Sequence, residues 1–372
     1  MTGRDRRLTW VSLADQRPGR EQYWLSRMPE TQTTVLSSMR PVDVPGRSVQ
    51  WVPVSYRRPV RRFVEAGALA WVRGVEAVPN ESDWVASLEC CSLVTGQVAD
   101  LVGRRPRVRQ AVVTWENDPR QPLYSVPMFR RALRATIDTA SLFLCMIDSA
   151  AEHLRVLGVP SHLIAVVRPG VELERFRPAT KAVSAPIVLF ASPLIRTKGI
   201  DRLIEAMALV RRRIPDARLR VLGAGPLEGL VRTAARDPSS GVDFLGSGDP
   251  AAVAVQLRRS AVFCTAPRAN IKWAEQFGLA YLEAMASGLP VVTTATGTNH
   301  EALAQGNIRT VDRAADLAEG LVELLRDPTR RLEVGAANRA YVEQHHDLAT
   351  QSLRMAQAFS AAEARAPRGP RC

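Results

Sequence analysis

Two glutamates eight residues apart, Glu275 and Glu283, flank Phe277-Gly278-Leu279 within the stretch PRANIKWAEQFGLAYLEAMASGLP at 267–290. Leu279, Leu282, Ala286 and Leu289 recur at helical spacing, and Gly288 and Pro290 stand where a left-handed cap and a helix breaker belong. A helix is therefore expected over 279–287, with its amino end opening at Gly278. Free N–H groups and the positive end of the helix dipole make such a terminus an anion site, and a glycine lets a ligand approach the backbone closely. Glu275 precedes the helix and Glu283 lies one turn inside it, so two carboxylates can accept hydrogen bonds at different depths from one ligand carrying a sugar and a ribose. An ordinary surface helix with solvated glutamates fits the same spacing, because a lone Glu-x7-Glu is a weak signal.

A second constellation lies upstream. In VLFASPLIRTKG at 188–199 a strand runs into a turn that places Lys198 just before a helix, where a cation can meet a diphosphate at the carboxyl edge of a parallel sheet. A plain strand-to-helix connection with a solvated lysine would read the same way. Gly223-Ala224-Gly225 closes another strand with glycines of the kind needed where backbone nears a ligand, although two glycines also make an ordinary turn. In the first half, Glu89 and Glu116 each end an apolar run, and Asn117 and Asp118 follow directly. Strand carboxyl ends line the ligand crevice of open parallel sheets, so Glu89, Glu116 and Asn117 are candidate acceptor contacts. Two carboxylates capping neighbouring loops are the competing reading.

Trp273-Ala274-Glu275-Gln276-Phe277-Gly278 through Gly288-Leu289-Pro290-Val291-Val292 resembles the donor-site signature of glycosyltransferase family 4, retaining enzymes of the GT-B fold. The resemblance covers most of 164–346, including Gly170-Val171-Glu172 through Pro178, and weakens before Ser82. It implies a nucleotide-diphosphate sugar as co-substrate, no metal or other cofactor, and a diphosphate gripped by Lys198. It further implies catalytic roles for Glu275 and Lys198, while Glu116, from its own place at a strand end, is the catalytic candidate to hold the attacking hydroxyl. Donor contacts would come from Lys198, Gly225, Leu245, Gly246, Glu275, Phe277, Gly278, Leu279 and Glu283. Two departures stand out. Where the family carries an arginine ahead of the lysine this chain has Pro193, which leaves Arg196 as the nearest substitute, and no histidine occupies the acceptor positions near Glu89 and Glu116.

At 372 residues the chain has room for about two domains. A hydrophobic content of 46% with 23% charged residues reads as globular, and no apolar run approaches a membrane span of about 18 residues. The start lacks the apolar core of a secretory signal, so a cytoplasmic location is expected. The net charge of +13 is almost wholly arginine, since only Lys181, Lys198 and Lys272 are lysine, and its positive field would attract nucleotides, phosphates and, weakly, anionic membrane surfaces. Nucleic acid is not expected as a partner, because the arginines are scattered, aromatics make up only 6%, and no recognition motif appears. The five cysteines lack metal-type spacing and read as small buried hydrophobes, while His345 and His346 read as a solvated helix surface.

Strand signals at 8–13, 34–37, 49–54, 83–88, 109–114, 141–147 and 164–168 alternate with helical stretches at 60–73, 93–103, 128–139 and 150–157. The second half repeats the alternation from 187 to 344. Such alternation argues parallel sheets covered by helices. The expected architecture is α/β: a GT-B fold of two Rossmann-like domains facing each other across a cleft. An acceptor-binding domain would cover 1–180 and a donor-binding domain 181–346. A linker near 178–186 would join them, and a last helix from 347 would cross back to the first domain ahead of a disordered tail.

Overall fold

The computed structural model describes all residues except 1–4, 13–19, 42, 58–69, 119–121, 182, 271–273 and 366–372. The described residues form two compact units, one of residues up to Gly170 together with those from Leu348 on, the other of Val171–Asp347. The first unit therefore ends ahead of the expected linker at 178–186. Val171 already belongs to the second unit because its amide donates to the His346 carbonyl at 2.8 Å and it bridges to Asp347.

In the first unit the strands are β1 (Arg6–Val11), β2 (Thr31–Ser37), β3 (Val49–Pro53), β4 (Ser55–Arg57), β5 (Trp71–Arg73), β6 (Trp84–Leu88), β7 (Arg109–Thr114), β8 (Leu142–Cys145) and β9 (Ile164–Val166). Among the described residues they make a seven-stranded parallel sheet in the order β3-β2-β1-β6-β7-β8-β9, plus the antiparallel pair β4-β5. The central strands β6, β7 and β8 are buried nearly throughout, as strands covered on both faces must be, and their sequences are correspondingly apolar. Of the helix expected over 60–73, residues 60–69 lie outside the described residues, and the end of that range is β5. There the side-chain amide of Gln97 accepts from the Val72 N–H and donates to its carbonyl, which occupies backbone groups that a helix would have used internally. The helix Arg20–Ser26 was not signalled by sequence periodicity.

The second unit contains β10 (Ile187–Ala191), β11 (Arg218–Leu222), β12 (Val242–Phe244), β13 (Val262–Thr265), β14 (Val291–Thr294) and β15 (Ile308–Thr310), all parallel in the order β12-β11-β10-β13-β14-β15. Strand β15, three residues long and only half-buried, was too short to leave a pattern. Val188, Phe190, Leu203, Met207, Val221 and Leu321 are fully buried in its core. Both units are thus Rossmann-like, with β-to-α connections that bring loops to the carboxyl edge of each sheet.

The helix Leu348–Glu363 is part of the first unit. Glu363 takes two hydrogen bonds from Arg6, at 2.7 and 3.1 Å, and one from the Trp84 indole at 2.7 Å, while Phe359 meets the Trp84 ring edge-on at 4.8 Å. Burial pushes the Glu363 carboxyl up, but the bonds from Arg6 and Trp84 outweigh it and hold the group below the usual carboxylate range. A depressed folded-state pKa contributes stability above the unfolded value and loses it as pH falls through the folded value. Glu363→Ala should therefore destabilise the first unit by about 1–3 kcal/mol at neutral pH. The deficit relative to wild type should shrink in denaturant titrations as the pH is taken below the ordinary glutamate range.

Candidate functional site

In the second unit the polar chemistry gathers at the carboxyl edge of the sheet. After β10 the chain makes a short 3-10 turn, Arg196–Lys198, and enters the helix Ile200–Arg213 through Gly199 in the left-handed conformation. A Cβ at Gly199 would lie 1.8 Å from the Ala266 carbonyl oxygen, so only glycine permits this approach of the turn to the end of β13. The Lys198 ammonium then forms an ion pair with the Glu275 carboxylate, and both side chains are largely buried. The two residues expected to meet a donor independently thus meet each other. Arg196, on the same turn, is solvent-exposed, as is Pro193.

Glu275 sits on a loop fixed from below. Gly297 passes so close that a Cβ there would lie 2.3 Å from the Glu275 carbonyl oxygen, and the Thr298 hydroxyl donates to the Gln276 carbonyl at 2.6 Å. The helix runs over Leu279–Ala286 with left-handed Gly278 at its amino end. The Tyr281 ring lies against Gly278, and the Tyr281 hydroxyl shares a 2.9 Å hydrogen bond with Thr293 and accepts one of 3.3 Å from Thr265. Burial, with Glu275 near, pushes the Tyr281 phenol up, so it stays neutral. Glu283 is buried on the second turn of this helix, and Leu279 is partly exposed at its start.

Phe277 is buried and packs 5.8 Å from the His346 ring. This corrects the reading of His346 as a solvated residue: it ends the helix Pro328–His345 and is fully buried between Phe277 and Tyr341. Gly225 is accounted for by packing of the 192–194 and 222–227 loops, since a Cβ there would lie 2.7 Å from the Leu194 carbonyl oxygen. Leu194 and Ala224 are also hydrogen-bonded. Leu245 is exposed and lines a recess of about 520 Å³ with Arg220, Phe244, Gln256 and Arg259, and the Gly246 carbonyl accepts from the Gly223 N–H at 2.8 Å. Arg268, which carried no sequence signal, donates its backbone N–H to Thr197 and pairs with Asp201 at 2.6 Å, locking the turn that bears Lys198.

In the first unit Glu89 follows β6 with φ 61°, a left-handed backbone that a non-glycine residue adopts only under constraint. Its carboxylate accepts from the Thr114 hydroxyl at 2.7 Å, the Trp115 N–H at 3.2 Å and the Glu116 N–H at 3.3 Å. Burial, reinforced by Glu116, pushes the Glu89 carboxyl up to about 7 against the lowering effect of the Thr114 and Trp115 bonds. Glu116 is buried and accepts from the Asp118 N–H at 3.0 Å, while Asn117 donates to the Ser149 hydroxyl at 3.1 Å. Sequence reasoning missed three neighbours. Glu21 accepts from the Trp115 indole at 2.9 Å, and Tyr124 and His153 share a 2.7 Å hydrogen bond with their rings stacked. Burial lowers the His153 pKa, so the imidazole is neutral. Cys90, Cys91 and Cys145 are buried in this region and their thiols are pushed up, Cys145 to about 12, which keeps them inert.

Residues 172–341 match the family model described as glycosyl transferases group 1. A GDP-mannose-dependent monoacylated alpha-(1-6)-phosphatidylinositol monomannoside mannosyltransferase of Corynebacterium glutamicum is 35% identical over 190 residues, 47% of this chain and 50% of that protein. A D-inositol 3-phosphate glycosyltransferase of Pseudarthrobacter chlorophenolicus is 29% identical over 301 residues, 76% of this chain and 67% of that one. The chain spans 50%, 66% and 61% of the length of the Corynebacterium glutamicum protein and of two mycobacterial relatives. Among solved structures, Anabaena HepE in complex with UDP superposes with a TM-score of 0.72 at 17% identity, covering 95% of this chain and all of that one. Sucrose-phosphate synthase from Thermosynechococcus elongatus superposes with a TM-score of 0.72 at 18% identity, covering 96% and 99%. The chain accordingly has the GT-B fold, and all but a few residues of its second unit match the glycosyl transferases group 1 model.

Proposed function

We propose that the protein is a retaining glycosyltransferase of family 4, which moves a sugar from a nucleotide-diphosphate sugar to an acceptor hydroxyl, in the cytoplasm and without a metal. The observation that carries this reading is the Lys198–Glu275 pair, in which Glu275 lies three residues ahead of Gly278 at the amino end of the helix Leu279–Ala286. In the free protein Glu275 neutralises Lys198 and holds it in place. A diphosphate, with more than one negative charge, competes for Lys198 and for the helix-end N–H groups, and this releases the Glu275 oxygens to sugar hydroxyls. As the anomeric carbon–oxygen bond breaks, Lys198 and the helix terminus take up the charge growing on the leaving diphosphate, and the acceptor attacks on the same face. Arg196 is free of the sheet and can reach the diphosphate in place of the arginine missing at Pro193. Glu283 holds the ribose, and Gly225, Leu245 and Gly246 hold the base side. Phe277 supports the loop from below.

The acceptor belongs to the first unit, with Glu116 holding the attacking hydroxyl and Asn117 beside it. The carboxylates of Glu89, Glu116 and Asp118 favour an amine-bearing cyclitol or amino sugar, or a neutral glycan, over an anion. A second reading, an inositol phosphate or phosphatidylinositol acceptor, is favoured by the activities for which the relatives are named. The helix Pro127–Thr139 exposes Arg130, Arg131 and Arg134 beside Met128, which supports weak attraction to anionic lipid.

Mass spectrometry after incubation with GDP-mannose or UDP-glucose and a panel of inositol, D-inositol 3-phosphate, phosphatidylinositol and an aminocyclitol tests the proposal. A glycosylated product is expected. Free sugar or an epimerised donor alone would make the protein a hydrolase or epimerase, and no nucleotide binding at all would leave a non-catalytic binding protein. Glu116→Gln should depress transfer to the amine-bearing acceptor more than to neutral inositol, and glycosylation of the anionic acceptors alone would overturn the cationic preference. Lys198→Ala should lower kcat by about 10²–10³-fold. Glu283→Ala should weaken nucleotide binding, read by calorimetry, by about 1–3 kcal/mol. Glu275→Ala should cost turnover more than nucleotide affinity, and equal effects of the two glutamate variants on both quantities would refute their separate roles.

A further inference from the structure

Glu89 and Glu116 were both expected to touch the acceptor, but their surroundings differ. All three hydrogen bonds to the Glu89 carboxylate come from consecutive residues of its own chain: the Thr114 hydroxyl and Glu116 N–H meet Oε2, and the Trp115 N–H meets Oε1. Strand β7 ends at Thr114, so the N–H groups beyond it have left the sheet ladder and need another acceptor. The Thr114 hydroxyl also accepts from the Glu116 N–H at 3.1 Å, which closes the corner. The Glu89 backbone is pinned in turn: its N–H donates to Val113 at 2.8 Å and its carbonyl accepts from Ser92 at 3.3 Å. A glycine or asparagine would adopt φ 61° at lower cost, so the glutamate breaks a local rule that its side chain must compensate.

We infer that Glu89 is a positioning residue, whose carboxylate holds the corner at 114–116 and thereby presents the Glu116 side chain at the carboxyl edge of the first sheet. This rests on the reading of Glu116 as the group that holds the acceptor hydroxyl. Glu89 itself makes no contact with the acceptor, because its oxygens are engaged with the corner. Its removal acts through Glu116.

Two measurements on the whole chain test the inference. Amide hydrogen exchange at Trp115 and Glu116 should speed up by about tenfold or more in Glu89→Ala, and by less in the shape-preserving Glu89→Gln, which can still accept with one oxygen. A double-mutant cycle on kcat, with the donor and acceptor that turn over fastest in the panel above, should be non-additive. Glu89→Ala should then cost about tenfold alone but almost nothing in a Glu116→Ala background. GDP affinity should stay within about twofold of wild type in every variant, since nucleotide binding belongs to the second unit. Unchanged exchange at the corner in folded Glu89→Gln and Glu89→Ala would overturn the inference, and so would losses in kcat that simply multiply. If no acceptor in the panel is glycosylated, the reading of Glu116 falls separately, and the exchange experiment still decides whether Glu89 holds the corner.

Discussion

Backbone touches backbone along the carboxyl edge of the second sheet, and the polar chemistry of that edge depends on it. The turn carrying Lys198 rests on the end of β13 through Gly199, and the loop carrying Glu275 rests on Gly297, in each case with no space for a single added carbon. A lysine and a glutamate 77 positions apart pair here because both loops are held against neighbouring backbone. Closely packed glycines supply that rigidity without using side chains, which stay available for chemistry. The ion pair is a result of this packing. Removing either partner would leave a largely buried charge uncompensated, whereas the pair itself contributes little net stability.

The two units handle burial of charge in opposite ways. In the second, a cation and a carboxylate neutralise one another, so a ligand must bring charge of its own to separate them. In the first, Glu89 and Glu116 meet at the same corner, and burial, reinforced by Glu116, pushes the Glu89 carboxyl up. A chain with a net charge of +13 thus sets two carboxyl groups side by side inside one unit, and at contact distance such local groups outweigh the net charge, because salt screens the rest beyond about 8 Å.

Much of this was legible in the residues. Gly278, Gly288 and Pro290 delimit the helix Leu279–Ala286 through chemistry confined to one turn, and the apolar runs of β6 to β8 and β10 to β14 mark buried parallel strands. What stayed hidden depends on partners distant in sequence. Nothing near Val72 reveals that Gln97 will take its backbone groups, nothing near His346 announces Phe277 above it, and Tyr124 and His153 acquire meaning only through each other. Lys198 and Glu275 were each recognisable, but their pairing was not, because it is fixed by glycine contacts to Ala266 and Glu275 that leave no periodic trace.

The second unit is inserted into the first, and Gly170 and Leu348, the residues on either side of the insertion, pack together so tightly that a Cβ at Gly170 would lie 2.8 Å from the Leu348 Cα. On the ribosome, this dictates a sequence of events. Arg6 is made 357 positions before its partner Glu363, so the first sheet emerges long before the helix that covers it. The second unit, contiguous in the chain, can close as soon as it is out. The first sheet must then wait with the Trp84 and Arg6 side of its surface uncovered until the helix Leu348–Glu363 has been made.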